Sequence, residues 1–444
     1  MHLDLLLPQN LPMNGSPKRI WFVLLGLCGL AAAVAAGGLD PAAKPGPSRM
    51  SQDVYVWQRS WNEQVLAAVR ARATNFSEVI VLGAEVTWQN GQPKVIRVPI
   101  DWDALKGSGA AIGLALRIGP FAGPFDGEDE RAKWLAALSN SLLTEASNHQ
   151  CSVRELQIDF DCAESKLEGY AAWVGAIRHA VSPTRVVITA LPAWLKHPAF
   201  QRLIGAGDEY VLQVHSLERP SRPDVAFTLC DPGLARQAVA RAGQLGAPFR
   251  VALPTYGYVI AFDTQGRFAG LSAEGPMRNW PPGTRLREVR SDSTALAELV
   301  RGWSLERPEL LRGIIWYRLP VEGDGLNWSW PTLSRVMTGE TPRASLRAEV
   351  RRPQPGLVEF DLVNEGDADF TGHPELEARW TGAQPVASDG LRGFEPCESG
   401  TNVLCFRNRR QLARIRPQER QMIGWLRLAA DAGVEVELRR TTDD

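Results

Sequence analysis

Neither sign of charge dominates this chain. Its 444 residues carry 49 Lys and Arg against 50 Asp and Glu, a formal net charge of −1. Binding nucleic acid by phosphate neutralisation needs a basic surface, so no nucleic-acid partner is expected. Ligands for a metal are also scarce. His215 has no second histidine at HxH or HxxxH spacing, and Cys151, Cys162 and Cys230 show no metal-ligand spacing. No glycine-rich phosphate turn follows any early strand, which disfavours an open doubly wound nucleotide-binding sheet. No cofactor is expected.

What is present begins with a basic region, residues 1–19, ending in Lys18-Arg19. Residues 20–38, IWFVLLGLCGLAAAVAAGG, then carry no charge. This order fits an export signal or a single anchor whose basic end stays in the cytoplasm. Ala33-Val34-Ala35 offers a small-residue cleavage site, and the run is as long as the shortest spanning helices. Both outcomes stay open. Leu27 before Cys28 speaks against lipidation. The expected location is outside the cytoplasm, either periplasmic or anchored to the inner membrane facing the periplasm, with membrane contact only through this segment. In that oxidising setting Cys397 and Cys405, eight apart around ESGTN, are candidates for a small disulfide loop. Residues 39–52, rich in proline and small residues, read as a linker.

The length suits a large domain plus a smaller one. Residues 53–341 repeat one theme, a short β-branched or aromatic run, a break, and an amphipathic helix. Strands are expected at Val54–Gln58, Val79–Val86, Ile112–Ile118, Glu155–Asp161, Arg185–Leu191, Glu209–His215, Phe249–Tyr256 and Gly313–Arg318. Helices are expected at Asn62–Ala73, Glu128–Ser147, Ser165–Ala180, Pro198–Ile204, Pro232–Leu245 and Ser293–Ser304. Between the second and third strands KVIRVPIDWDAL reads as partly extended. Near-continuous apolar strands alternating with helices imply a parallel sheet closed into a (β/α)8 TIM-type barrel, an α/β fold. From 342 to 444 short alternating runs without helices (SLRAEVRR, LVEFDLVNEG, LEARW, NVLCFRN, VEVELRR) predict a small all-β, sandwich-like domain.

In a closed parallel barrel alternate residues face inward, and ligand chemistry collects at the carboxyl ends of the strands. In ELQIDFD the apolar Leu156, Ile158 and Phe160 then face the helices, while Gln157, Asp159 and Asp161 face the interior with Asp161 nearest the mouth. The same parity turns Glu85, Arg117, Thr189, Gln213 and His215 inward. PTYGY adds Tyr256 and Tyr258, and IIWYRLP adds Trp316 or Tyr317 depending on parity. Two carboxylates at i and i+2 on a strand lie roughly 7 Å apart at the backbone. A charge on Asp159 raises the proton affinity of Asp161, as a general acid near neutrality requires. The alternative is that Asp159 and Gln157 simply satisfy hydrogen bonds inside the barrel. Between the seventh and eighth strands, residues 257–292 exceed the usual short loop and include a hairpin around Thr264-Gln265-Gly266 and the tryptophan Trp280. This insertion is expected over the mouth.

The set ELQIDFD, VVITALPAWL, YVLQVHS, FRVALPTYGY and GIIWYRLP resembles an uncharacterised bacterial family, domain of unknown function 3142, over about Val54 to Gly339. That family has no assigned activity, so the resemblance implies a fold. More distantly, the same strand ends are similar to the chitinase-like glycoside hydrolases, whose fourth strand ends in DGxDxDxE and whose eighth carries a tryptophan at the floor of the sugar site. Asp159 and Asp161 match the second and third acids, and Trp316 matches the tryptophan. Leu156 and Gln157 replace the opening pair. Ala163 stands where the glutamate belongs, and Glu164, one place later, inherits the acid role only if the loop bulges. The resemblance implies a carbohydrate ligand. It leaves two readings, an envelope glycoside hydrolase using Asp161, Asp159 and Glu164, or a glycan-binding protein on a degenerate hydrolase barrel. Glu85, Arg117, Gln157, Gln213, His215, Tyr256, Tyr258, Trp280 and Trp316 are the candidate substrate-binding residues in either.

Overall fold

The computed structural model describes residues 50–444, apart from 90, 122, 124, 126–129, 217–219, 274–278, 409–412 and 442–444. The basic region, the apolar segment 20–38 and most of the linker lie outside the described residues, as do the first two residues of the helix expected from Glu128. Among the described residues no helix is long and apolar enough to cross a membrane.

The chain runs β1 (Ser51–Val56), β2 (Glu78–Gln89), β3 (Gln92–Arg97), β4 (Ala111–Ile118), β5 (Val153–Phe160), β6 (Arg185–Ala190), β7 (Glu209–Gln213), β8 (Phe249–Pro254), β9 (Gly257–Phe262), β10 (Phe268–Ser272), β11 (Arg285–Arg290) and β12 (Leu311–Tyr317). Its helices are α1 (Glu63–Arg72), α2 (Trp102–Gly107), α3 (Glu130–Asn148), α4 (Leu167–Val181), α5 (Pro198–Ala206), α6 (Pro232–Ala242), α7 (Ser293–Leu305) and α8 (Trp330–Met337). The parallel strands follow the order β1-β12-β8-β7-β6-β5-β4-β2, and β1 pairs with β2 to close the ring. This is a (β/α)8 barrel, with all eight expected strands in place. The segment KVIRVPIDWDAL is partly extended, as expected: it begins in β3, which extends β2 as an antiparallel hairpin, and ends in the short helix α2, capped by Asp101 Oδ1 accepting from the Ala104 N–H at 2.8 Å.

Period two sorts the strand residues as a closed barrel demands. Leu114 and Leu116 of β4, Leu156, Ile158 and Phe160 of β5, and Ile314 and Trp316 of β12 join the core between barrel and helices. Tyr55, Ile80, Ala115, Val187, Val211, Ala252 and Ile315 pack together inside. Below them lies a charged layer at the amino ends of the strands. Arg250 Nη1 is 3.0 Å from Asp53 Oδ2, its Nη2 2.5 Å from Glu155 Oε1, its Nε 2.7 Å from Glu209 Oε1, and Glu78 Oε2 is 3.8 Å away. Arg185 adds contacts of 3.8 Å to Glu155 and 2.8 Å to Glu209. Four carboxylates thus share one buried and one partly exposed guanidinium.

The insertion after β8 is a three-stranded antiparallel sheet, β10-β9-β11. Its β9–β10 turn closes on Asp263, whose Oδ1 accepts from the N–H groups of Gln265 and Arg267, both at 2.9 Å, with Gly266 at φ +74°. Beyond the barrel come β13 (Leu346–Gln354), β14 (Leu357–Asn364), β15 (Phe370–Trp380), β16 (Pro385–Gly390), β17 (Glu395–Gly400), β18 (Val403–Arg407), β19 (Ala413–Ile415), β20 (Arg420–Leu428) and β21 (Val434–Thr441). They form one sheet ordered β13-β14-β20-β16 and another, β17-β18-β15-β19, with β21 also on β15. Their inner faces share a core that includes Phe360, Leu376, Phe406 and Ile423. Cys397 and Cys405 face each other on β17 and β18 and are joined by a disulfide, with Cα atoms 5.0 Å apart. Cys151, Cys162 and Cys230 are free and buried.

Candidate functional site

At the carboxyl end of the barrel a cavity of about 510 Å³ opens, its floor built by strand ends and one wall by the β9–β11 insertion. β5 delivers the acids. Asp159 Oδ1 accepts from the Thr189 hydroxyl at 2.9 Å, and its Oδ2 lies 3.4 Å from Arg117 Nη1. Asp161, just past the end of β5, stands at the rim and lines the same cavity. Desolvation in the mouth pushes its carboxyl up to about 6; the Asp159 charge adds to the rise and Arg117 opposes it. A group with that proton affinity keeps a usable fraction of its proton near neutrality, which suits a general acid.

Aromatic rings surround the acids. The ring centroids of Tyr317 lie 5.3 Å from Trp57, 5.3 Å from Tyr256, 5.7 Å from Tyr55 and 5.7 Å from His215, so the end of β12 sits at the hub of the cluster. Tyr256 Oη is 3.0 Å from Tyr258 Oη and 3.3 Å from His215 Nδ1, and Tyr258 also bonds Ser216. Burial pulls the His215 ring down to about 3, so it is neutral at pH 7 and holds no carboxylate by charge. Gln213 lines the cavity, with its amide nitrogen donating to the His215 carbonyl at 3.2 Å. Ring faces set among many polar groups, as here, are what a small polar ligand with flat apolar patches binds against.

The structure brings Asp159, Asp161, Arg117, Gln213, His215, Tyr256 and Tyr258 together and sets five other candidates apart. Trp316 is corrected: it points outward, fully buried against Trp328, with its indole N–H donating to Gln52 Oε1 at 2.7 Å. Period two leaves the mouth position at the end of β12 to Tyr317. Glu164 begins a short 3-10 turn, exposed and outside the cavity lining, because the loop after β5 runs from Ala163 straight into that turn without a bulge turning residue 164 inward. Gln157 is fully buried below the floor, where its Oε1 accepts from the Tyr55 hydroxyl at 2.6 Å and its Nε2 donates to Glu155 at 2.7 Å. Glu85 sits behind the wall. Both its oxygens are taken by Arg59, at 2.5 and 2.8 Å, and Arg117 Nε is 3.9 Å away. Trp280 rests over Gly270 on the insertion and is not among the lining residues. Trp194 packs in the core against Tyr170 and Phe200, and burial pushes the Cys162 thiol up to about 12, which leaves it inert.

Sequence reasoning passed over Tyr55, Trp57, Arg59 and Arg318, which line the mouth. For the first two the signal was available: Val54 and Val56 are the apolar, helix-facing parity of β1, so Tyr55 and Trp57 point inward.

Among solved structures, a chitinase from Chromobacterium violaceum is similar at 15% identity and TM-score 0.45, covering 65% of this chain and 98% of its own. The spore cortex-lytic enzyme SleL of Bacillus cereus is similar at 13% identity and TM-score 0.47, covering 65% of this chain and 74% of its own. A chitinase from Bacteroides thetaiotaomicron is similar at 12% identity and TM-score 0.48, covering 66% and 98%. No curated protein matches the chain. A family model described as "Domain of unknown function (DUF3142)" matches residues 127–322, a narrower span than the sequence resemblance implied, which takes in β5 to β12 and with them Asp159, Asp161, His215, Tyr256 and Tyr317.

Proposed function

We propose that the barrel mouth binds a glycan and that Asp161 donates a proton to the glycosidic oxygen as the bond to the anomeric carbon breaks. The leaving sugar departs as an alcohol, and water supplies the hydroxyl that completes hydrolysis. The observation that carries this reading is the pairing of Asp161, at the rim of an aromatic cavity, with Asp159 inside it, where desolvation and a neighbouring charge raise the proton affinity of Asp161. Asp159, fixed by Thr189 and Arg117, tunes the acid and faces the charge that develops on the sugar. We further propose that the protein is exported, periplasmic or anchored at the inner membrane. The apolar segment 20–38 after Lys18-Arg19 and the Cys397–Cys405 disulfide support this.

A second reading, glycan binding without turnover, is favoured by one observation. Among the described residues the carboxylates lining the cavity are Asp159 and Asp161 alone, both from one strand end. Hydrolysis by two carboxylates places them on opposite sides of the scissile bond. In the enzymatic reading the group attacking the anomeric carbon therefore comes from the substrate or from water.

Binding is testable at the hub of the aromatic cluster. Tyr317→Ala is expected to weaken binding of whichever bacterial polysaccharide fragments the full chain takes up by about tenfold, the equivalent of one lost ring contact. Titration followed by intrinsic tryptophan fluorescence reads this directly, since Trp57 lies 5.3 Å from Tyr317. Equal affinity of variant and wild type would remove the mouth as the binding site.

A further inference from the structure

A second cavity, about 1090 Å³, lies between the barrel mouth and the C-terminal β domain. It shares Arg59, Ala273 and Arg318 with the mouth, so the two are one continuous trough. On one side the trough is bounded by the β1–α1 connection, which contributes Gln58 and Ser60, and by Gln64 of α1, and on the other by the loop 321–326 after β12. Arg414 of β19 brings the β domain into its lining.

The loop wall is held from three directions. Arg318 at the end of β12 donates to Asp324 Oδ2 at 2.5 Å, and Arg290 of β11 donates to the Gly325 carbonyl at 2.6 Å. Arg414 donates to the same carbonyl at 2.9 Å, and Arg416 to the Asp324 carbonyl at 2.6 Å. Insertion, barrel and β domain thus fix one loop before any ligand arrives, which reduces the ordering cost of binding. Gln58 lines the cleft, its amide nitrogen donating to the Leu319 carbonyl at 3.5 Å. The other lining groups, Ser60, Gln64, Glu322 and Arg414, offer donors and acceptors of both kinds. Val65, Val259, Val321 and Leu326 lie among them, so the lining suits units that carry both hydroxyl edges and apolar faces, as sugar rings do.

We infer that the cleft is a second binding site, which takes further sugar units of the same glycan chain whose one end occupies the mouth, and that the β domain is a wall of this extended site. The inference rests on the glycan reading of the mouth. It assigns the protein a polymeric substrate, since a single sugar unit would leave the larger cavity unused.

The test is a chain-length series on the full chain in mild detergent. The probes are N-acetylglucosamine oligomers from dimer to hexamer and size-fractionated peptidoglycan glycan strands. Wild type is expected to gain about tenfold or more in affinity from the shortest to the longest probe. Ser60→Trp, which fills the cleft from an exposed loop position outside the mouth lining, is expected to remove most of that gain while the shortest probe binds as before. Gln64→Trp, on the first turn of α1, is the independent second variant. Retention of the length-dependent gain in both variants overturns the inference, as does equal loss at every length. Length-independent binding that Tyr317→Ala weakens also overturns the cleft but leaves the glycan mouth standing. No binding of any probe defeats the glycan reading and the cleft together.

Discussion

Above about pH 6, kcat for glycan cleavage is expected to fall about tenfold per pH unit, because Asp161 must carry its proton to act as the acid. The midpoint follows from desolvation and two charged neighbours. Desolvation in the mouth and the Asp159 charge raise the carboxyl to about 6, and Arg117 pulls it back. Asp159→Asn removes the like charge and leaves Arg117 in place, so the proton affinity of Asp161 falls and the limb moves to lower pH. A displacement of about one unit makes the variant roughly tenfold slower than wild type at pH 7. Part of the loss will be the contact Asp159 makes to the sugar, so the informative readout is the position of the limb in a pH–rate profile. A limb that stays put in Asp159→Asn would show that another group supplies the proton.

The second large effect lies at the opposite end of the barrel and concerns stability. Burial pushes Glu78 up to about 8, the Glu155 charge adds to this, and Arg250 opposes it. Burial likewise raises Asp53 to about 6, against the pull of Arg250. One buried guanidinium and the partly exposed Arg185 do not neutralise Asp53, Glu78, Glu155 and Glu209 together, so protons complete the balance. A folded-state value above the unfolded one means that the native chain binds more protons between about pH 4.5 and 8. Stability therefore declines as pH rises through that window and the loss is complete above it. Glu78→Gln keeps the shape and removes the titration. It is expected to leave the thermal midpoint near wild type at pH 5 and to raise it by roughly 5 °C at pH 8.5, on the order of 1–3 kcal/mol. Thermal denaturation followed by circular dichroism at the two pH values checks this; an equal shift at both would show that charge is not the cause.

Much of the barrel was legible in the sequence because each strand of a parallel ring is buried on both faces and reads as a short apolar run between breaks. Strand ends also sorted correctly wherever apolar and polar residues alternated, as in β5, where Asp159 lines the mouth and Phe160 the helix layer. The same rule has no purchase on IIWYRLP, whose residues are large and apolar on both parities, and there Trp316 and Tyr317 exchanged roles. The charged base was invisible for another reason. Asp53, Glu78, Glu155, Glu209 and Arg250 come from five strands, one residue each, and nothing in the chain marks them as neighbours before the ring closes. In the β domain β16, β17, β19 and β20 went unread; segments such as Pro385–Gly390 are largely exposed and lack an apolar stripe, whereas β20, which buries Ile423, Leu426 and Leu428, was legible and passed over.

The central claim is that Asp161 works as the acid of a glycan-cleaving mouth, and the release of reducing ends from a panel of bacterial polysaccharides tests it most directly. Wild type and Asp161→Asn, both as the full chain, are compared side by side at pH 5.5. Wild type is expected to release sugar from at least one polysaccharide, and the variant to do so about 10²–10⁴-fold more slowly while still binding it. Equal release by the two proteins from every polysaccharide would contradict the claim.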